Sequence, residues 1–300
     1  MQSLRAVLRK IFFSSEEPAR LRLGWRLLFH TLLFFILAIG FSILSFLAIR
    51  LVPALTRWNM DLLIETAAVT LATWLACRWW CRRSLVSLGL QWTQRSGRDF
   101  LAGVAIAAAL QTFIVVVLSL LGMAKVFFPA KITAESLLQA LGPALLMWAL
   151  VAWNEELWMR GYWLQNIAEN YGVVWGVVLS SVMFAALHLL NPHISWRAEV
   201  GLVLAGLFLG YGYARTRQLW LPMGLHFGWN FFEGTVYGFS VSGLTVQTVL
   251  RTVVSGPEWL TGGLFGPEAG LIVVPALALG AVLIARYTAR GKGALDEVAT

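Results

Sequence analysis

Apolar stretches long enough to cross a bilayer recur along this chain, separated by short polar turns. They fall at about 27–49, 60–77, 100–122, 143–169, 172–190, 199–214, 218–238 and 269–286, the second and sixth being short or interrupted. A helix rises about 1.5 Å per residue, so roughly 20 apolar residues span a hydrocarbon core of about 30 Å. One such run could be a buried helix of a soluble domain; so many in one chain argue for lipid as the solvent. The pattern predicts an all-α polytopic membrane protein of about eight transmembrane helices with polar groups held inside the membrane.

Composition strengthens this reading. Hydrophobic residues make up 59% of the 300 residues and charged residues 13%, about half the charged share of a soluble domain. The first apolar run starts near Leu27 behind a basic, polar leader and lacks a small-residue cleavage signal, so it reads as a retained helix. Cys77 and Cys81 have no second Cys/His pair near them and read as two thiols rather than a disulfide or zinc site.

The net charge of +8 could suggest nucleic acid, but its distribution speaks of topology. With eight spans, Arg5, Arg9, Lys10, Arg20, Arg22 and Arg26 of the leader fall on the same side as Arg78, Arg82, Arg83, Arg95 and Arg98. Arg160, Arg215, Arg217, Arg286, Arg290 and Lys292 join them. That bias puts both termini in the cytoplasm, and the compact chain suggests a bacterial inner membrane. Membrane lipids are then the expected partners, not nucleic acid. The basic loop at about 78–99, with Trp92, should rest on anionic headgroups. The tail Gly291–Thr300 is short and polar and should be mobile.

Ionisable side chains inside spans are costly, and each is a candidate for function. Glu155 and Glu156 are adjacent in a helix expected to start at Pro143, so they point about 100° apart and have different tasks. Glu156 and Arg160 stand at i and i+4 in the favourable order for an ion pair, which leaves Glu155 to face a cavity. His188 follows on the next helix, beyond a turn at Asn170–Gly172. Counted from that turn, Glu156 and His188 lie at about 21 and 24 Å, a common depth. His226 and Asn230 share one face of a later helix and reach a similar level, with Glu233 nearer the interface. His30 and His193 have no such company and read as non-catalytic. Gly206 and Gly210 suggest close helix packing. The bland alternative is that the acids, His188 and Asn230 only hold helices together.

In that order and on apolar helices, Glu155-Glu156-x3-Arg160, Phe184-x3-His188 and His226-x3-Asn230 resemble the three signature motifs of the CPBP family. That family includes CAAX prenyl endopeptidases of the Ras-converting type and bacterial Abi proteins linked to bacteriocin self-immunity. The resemblance covers about 143–240, with Ser87-Leu88-Gly89-Leu90 similar to a stretch often found upstream, and Met159 departs from a commonly aromatic position. It divides the chain into a basic leader (1–26), N-terminal helices (27–135), a CPBP/Abi-like catalytic core (136–240) and a final loop, helix and tail (241–300). It implies an intramembrane endopeptidase acting on a membrane-associated protein substrate, CAAX-like or lipid-anchored, with access from the cytoplasmic side.

Peptide hydrolysis fits these residues. Glu155 in a low-dielectric site suits a general base that then acts as acid. His188 and His226 could orient water or stabilise the oxyanion, Asn230 could donate its amide, and Glu156 with Arg160 would support them. A zinc version would use His188, His226 and Glu156 with an open position for water. A non-catalytic immunity or scaffold protein, or a proton-coupled transporter, could use the same groups, although no inverted repeat supports the latter. Helix depth places the cluster near the 191–198 end, which the charge bias puts outside. A re-entrant segment at Glu135–Leu141 would reconcile depth with cytoplasmic access.

Overall fold

The computed structural model describes residues 11–13, 20–51, 57–129 and 133–296. Arg5, Arg9 and Lys10 of the leader, and residues 297–300 of the tail, lie outside the described residues. The described residues are mostly helical. Helices α1 (Leu23–Leu51), α2 (Arg57–Ala76) and α3 (Gln94–Leu120) come first. Then follow α4 (Ala134–Glu156), α5 (Leu164–Tyr171), α6 (Val173–Ala186), α7 (Trp196–Thr216), α8 (Trp220–Asn230), the single turn α9 (Glu258–Thr261) and α10 (Val273–Asp296). Three helices widen into π turns: α2 at Cys77–Cys81, α4 at Leu157–Trp163 and α8 at Phe231–Val236.

Each apolar stretch expected to be helical is so, but the count of eight spans is not reproduced. Among the described residues, four helices can cross a membrane by length and composition: Leu23–Arg50, Met60–Cys81, Gln94–Leu120 and Ala134–Tyr171. Val173–Ala186 and Val273–Ala289 are apolar but shorter. α8 has only 11 residues before its π turn, and α7 carries Arg197, Glu199 and Arg215. The all-helical expectation also needs a small amendment. Strands β1 (Ala124–Phe127) and β2 (Arg251–Val254) pair antiparallel, with Ala124 opposite Val254. The final helix continues into the tail as far as Asp296, where a free polar end was expected.

α4 begins at Ala134, well before Pro143. Thr133 and Ser136 form a capping box that satisfies the first free N–H groups, so the helix starts there. Pro143 sits inside the helix, where it has no N–H to give the Gln139 carbonyl. The stretch Glu135–Leu141 is therefore the opening of a continuous helix and not a separate re-entrant segment.

Small residues set the seams. Gly206 and Gly210 of α7 lie against Ser181 and Val177 of α6, so close that a Cβ on Gly206 would meet Ser181 at 2.7 Å. α3 and α8 approach closer still. A Cβ on Gly224 would stand 2.0 Å from the Phe100 carbonyl, and one on Gly103 2.6 Å from the Leu221 carbonyl. Around these seams lie apolar clusters, one about Trp158, Tyr162, Phe184 and Leu202, another about Leu110, Ile114, Phe208 and Leu225, and a smaller one about Trp148, Phe227 and Val241. α1 instead exposes Phe35, Ile36, Ile39 and Ile43, the face a lipid-contacting helix presents.

Candidate active site

Three elements deliver the polar groups to one place. The C-terminal end of α4 carries Glu155 and Glu156, directly before the π turn that holds Arg160. His188 stands in the turn just after α6, two residues past the helix that was expected to contain it. α8 carries His226 and, one turn on, Asn230, directly before the second π turn. The close α3–α8 seam fixes the height of α8 and hence of His226.

The two carboxylates do separate. Glu156 is fully buried, and its Oε1 accepts from Arg160 Nη1 at 2.9 Å and lies 2.8 Å from His226 Nδ1. Arg160, equally buried, also donates to the Gly206 carbonyl at 3.0 Å and lies over the Phe184 ring, 4.6 Å from its centroid. One guanidinium thus ties α4, α6 and α7 together. Glu155 turns the other way. Its Oε2 lies 3.7 Å from His226 Nε2 and 3.9 Å from His188 Nε2, and has no hydrogen-bond partner among the described residues.

The outer hydrogen bonds fix which ring nitrogen carries a proton. His188 Nδ1 lies 2.8 Å from the Phe184 carbonyl, which can only accept, so Nδ1 donates. His226 Nδ1 faces a carboxylate that already accepts from Arg160, and it too donates. Both Nε2 atoms are therefore aimed at Glu155. Their separations from it exceed a direct hydrogen bond and suit a water molecule held between.

This group opens on a cavity of about 590 Å³, lined also by Asn230, Trp148 and Phe184. Two further acids reach it that the sequence reading passed over. Glu65 comes from the middle of α2, where an acid four residues past Asp61 and well inside an apolar span was the available signal. Glu268 comes from the short 3₁₀ turn Pro267–Ala269, where nothing local marks it. Glu268 Oε2 accepts from Ser242 N at 2.9 Å and from Ser242 Oγ at 2.7 Å, and Asn191 Nδ2 donates to the Ser242 carbonyl at 2.9 Å. These bonds pin Ser242, a left-handed residue with φ of 47°, against the cavity wall. Glu233, expected nearer the interface, is instead fully buried and accepts from Gln111 Nε2 at 3.3 Å.

His30 and His193 stay away from the cavity. His30 is buried beside Thr73 Oγ1 at 3.1 Å and stacks on Tyr162, and His193 lies in the loop before α7. Cys77 and Cys81 are free thiols, with Cys81 Sγ 3.4 Å from Asn166 Oδ1.

The zinc version was tested on the same atoms. Glu156 does not join His188 and His226 as a third ligand, because its Oε1 is engaged by Arg160 and by the far side of the His226 ring. Among the described residues no group of three or more His, Cys, Asp or Glu side chains stands in metal-holding geometry.

Residues 137–232 match the family model of the type II CAAX prenyl endopeptidases, Rce1-like. This segment belongs to that family. No curated protein and no solved structure matches the chain. The Rce1-like segment runs from early α4 into the π turn after α8, and so contains Glu155, Glu156, Arg160, His188, His226 and Asn230. Glu65, Ser242 and Glu268 lie outside it. With four helices able to cross a bilayer, the chain is an integral membrane protein, and a CAAX-type protease is the class of activity the match supports.

Proposed function

We propose that this protein is an intramembrane endopeptidase that hydrolyses a peptide bond of a membrane-associated protein, CAAX-like or otherwise lipid-anchored, with water activated by Glu155. The observation that carries the reading is the placement of Glu155 Oε2 3.7 and 3.9 Å from two histidine Nε2 atoms at a 590 Å³ cavity. A water held among these atoms gives a proton to Glu155, and its oxygen attacks the scissile carbonyl carbon. The oxyanion receives hydrogen bonds from Asn230 Nδ2 and from a protonated His226 Nε2, whose charge Glu156 balances from the other side of the ring. The C–N bond then breaks as Glu155 returns its proton to the leaving amine. His188 orients the water, and Arg160 keeps Glu156 in place.

The test is cleavage of a prenylated CAAX peptide by the full-length protein in proteoliposomes, beside proteomes of cells expressing wild type or Glu155→Gln. The isosteric Glu155→Gln lowers the rate at least about 10²-fold, the usual share of a general base, while the protein remains folded, and one precursor accumulates. Equal processing by both proteins overturns the endopeptidase reading and leaves a scaffold. Activity persists after a metal chelator; loss that zinc restores would move the mechanism to a metal.

A further inference from the structure

A second concavity of about 550 Å³ lies at the far end of α2, lined by Arg78, Trp79, Arg82, Arg83 and Ser84. The apolar span Met60–Cys81 stops at this point, which sets it at the level where a bilayer's hydrocarbon gives way to headgroups. Three guanidinium groups thus gather within one turn. Arg82 adopts a left-handed conformation with φ of 52°, uncommon for a residue with a side chain. That turn folds the chain back so that the backbone N–H groups of Arg82 and Arg83 both bond to the Cys77 carbonyl. The helix end, which would otherwise repel an anion, is thereby partly satisfied.

Among the described residues too little negative charge answers these arginines. Glu169 accepts from Arg83 Nη1 at 2.8 Å, but it is shared with Arg26 at 3.1 Å. Arg78 and Arg82 are exposed, and their side chains make no hydrogen bond or ion pair among the described residues. Ser84 Oγ accepts from Ser87 N, so its hydroxyl hydrogen remains available to an outside acceptor. Trp79 is 59% exposed on the rim, the position an amphipathic ring takes at a membrane interface.

We propose that Arg78, Arg82, Arg83 and Ser84 form a binding site for a phosphate group, carried by an anionic lipid headgroup or by a soluble phosphate. Planar guanidinium groups meet phosphate oxygens in paired hydrogen bonds, and three of them around one concavity give a saturable site rather than a diffuse attraction. The site stands apart from the Glu155 cavity and does not depend on the activity proposed for it.

The experiment uses the full-length protein in detergent, titrated with phosphatidylglycerol, with phosphatidylcholine, and with inorganic phosphate, and read by native mass spectrometry and thermal melting. Arg78→Gln/Arg82→Gln is compared with Arg95→Gln/Arg98→Gln, which removes the same charge from the neighbouring stretch. Both pairs should remain monodisperse. Saturable binding of phosphatidylglycerol in preference to phosphatidylcholine, weakened at least about tenfold by the first pair and unchanged by the second, supports a lipid phosphate site. Binding of inorganic phosphate with the same dependence on Arg78 and Arg82, and no lipid preference, supports a soluble phosphate as the ligand. Equal weakening by both pairs, or no effect of either on any of the three ligands, overturns the site.

Discussion

Arg160 shows how much one buried side chain can hold. It reaches the carboxylate of Glu156, the carbonyl of Gly206 and the face of Phe184, all without solvent contact. Arg160→Leu leaves Glu156 charged and buried with only His226 to answer it, and should cost about 3–5 kcal/mol, read as a large drop in thermal midpoint. Glu156→Gln/Arg160→Leu together should recover much of that loss, because no uncompensated charge remains. Neither outcome requires that cleavage be assayed. This pair was legible in the sequence because an i,i+4 acid and base on a helix must meet. The tautomers of His188 and His226 were not, since they depend on a carbonyl and a carboxylate that only the fold brings alongside.

At the scale of elements, the α3–α8 seam sets the site. Gly224 touches the backbone of Phe100, and Gly228 that of Val104. Gly224→Ala therefore cannot be absorbed by a flexible side chain; the helices must part. We expect a loss of about 1–3 kcal/mol, the usual cost of overpacking, with activity falling more steeply than stability because His226 moves with α8. A melt and a rate measured on the same preparation check both. The sequence reading took Gly206 and Gly210 as a packing pair but read the stretch around His226 for its chemistry, so Gly224 and Gly228 went unnoticed as a second such pair. It also missed the true start of α4. There the weight given to Pro143 hid the stronger signal of Thr133 and Ser136, whose side chains close the helix start reciprocally.

At the scale of the whole molecule, the cavity is built from more than the Rce1-like segment. Glu65 enters from α2 and Glu268 from the turn before α10, so the flanking regions complete its walls. Glu268→Ala removes both acceptor contacts to Ser242 and leaves its backbone N–H unpaired, at a cost of about 1–3 kcal/mol. Thermal melting should report that loss, and Glu268→Gln, which keeps an acceptor oxygen, should restore part of it. Helix rise could bring Glu155, His188 and His226 to a similar depth because each lies a countable number of residues from a turn that the sequence marks. It could not place Glu268, which arrives by a loop whose path depends on contacts far away in sequence.

The wide turn at Leu157–Trp163 gives the chain a particular sensitivity to length. A π turn holds surplus chain within a helix, so losing one residue between Glu156 and Leu164 would let the backbone relax into regular α-helix. Glu155, Glu156 and everything beyond would keep their relative facing, whereas losing a second residue would turn everything beyond by about 100° about the axis. Gln165, which donates to the Leu88 carbonyl, and Asn166, which accepts from Arg26, would swing off their partners. Relatives of this protein should then tolerate exchanges of residue in this stretch, and the loss of its one surplus residue, far better than larger changes in its count.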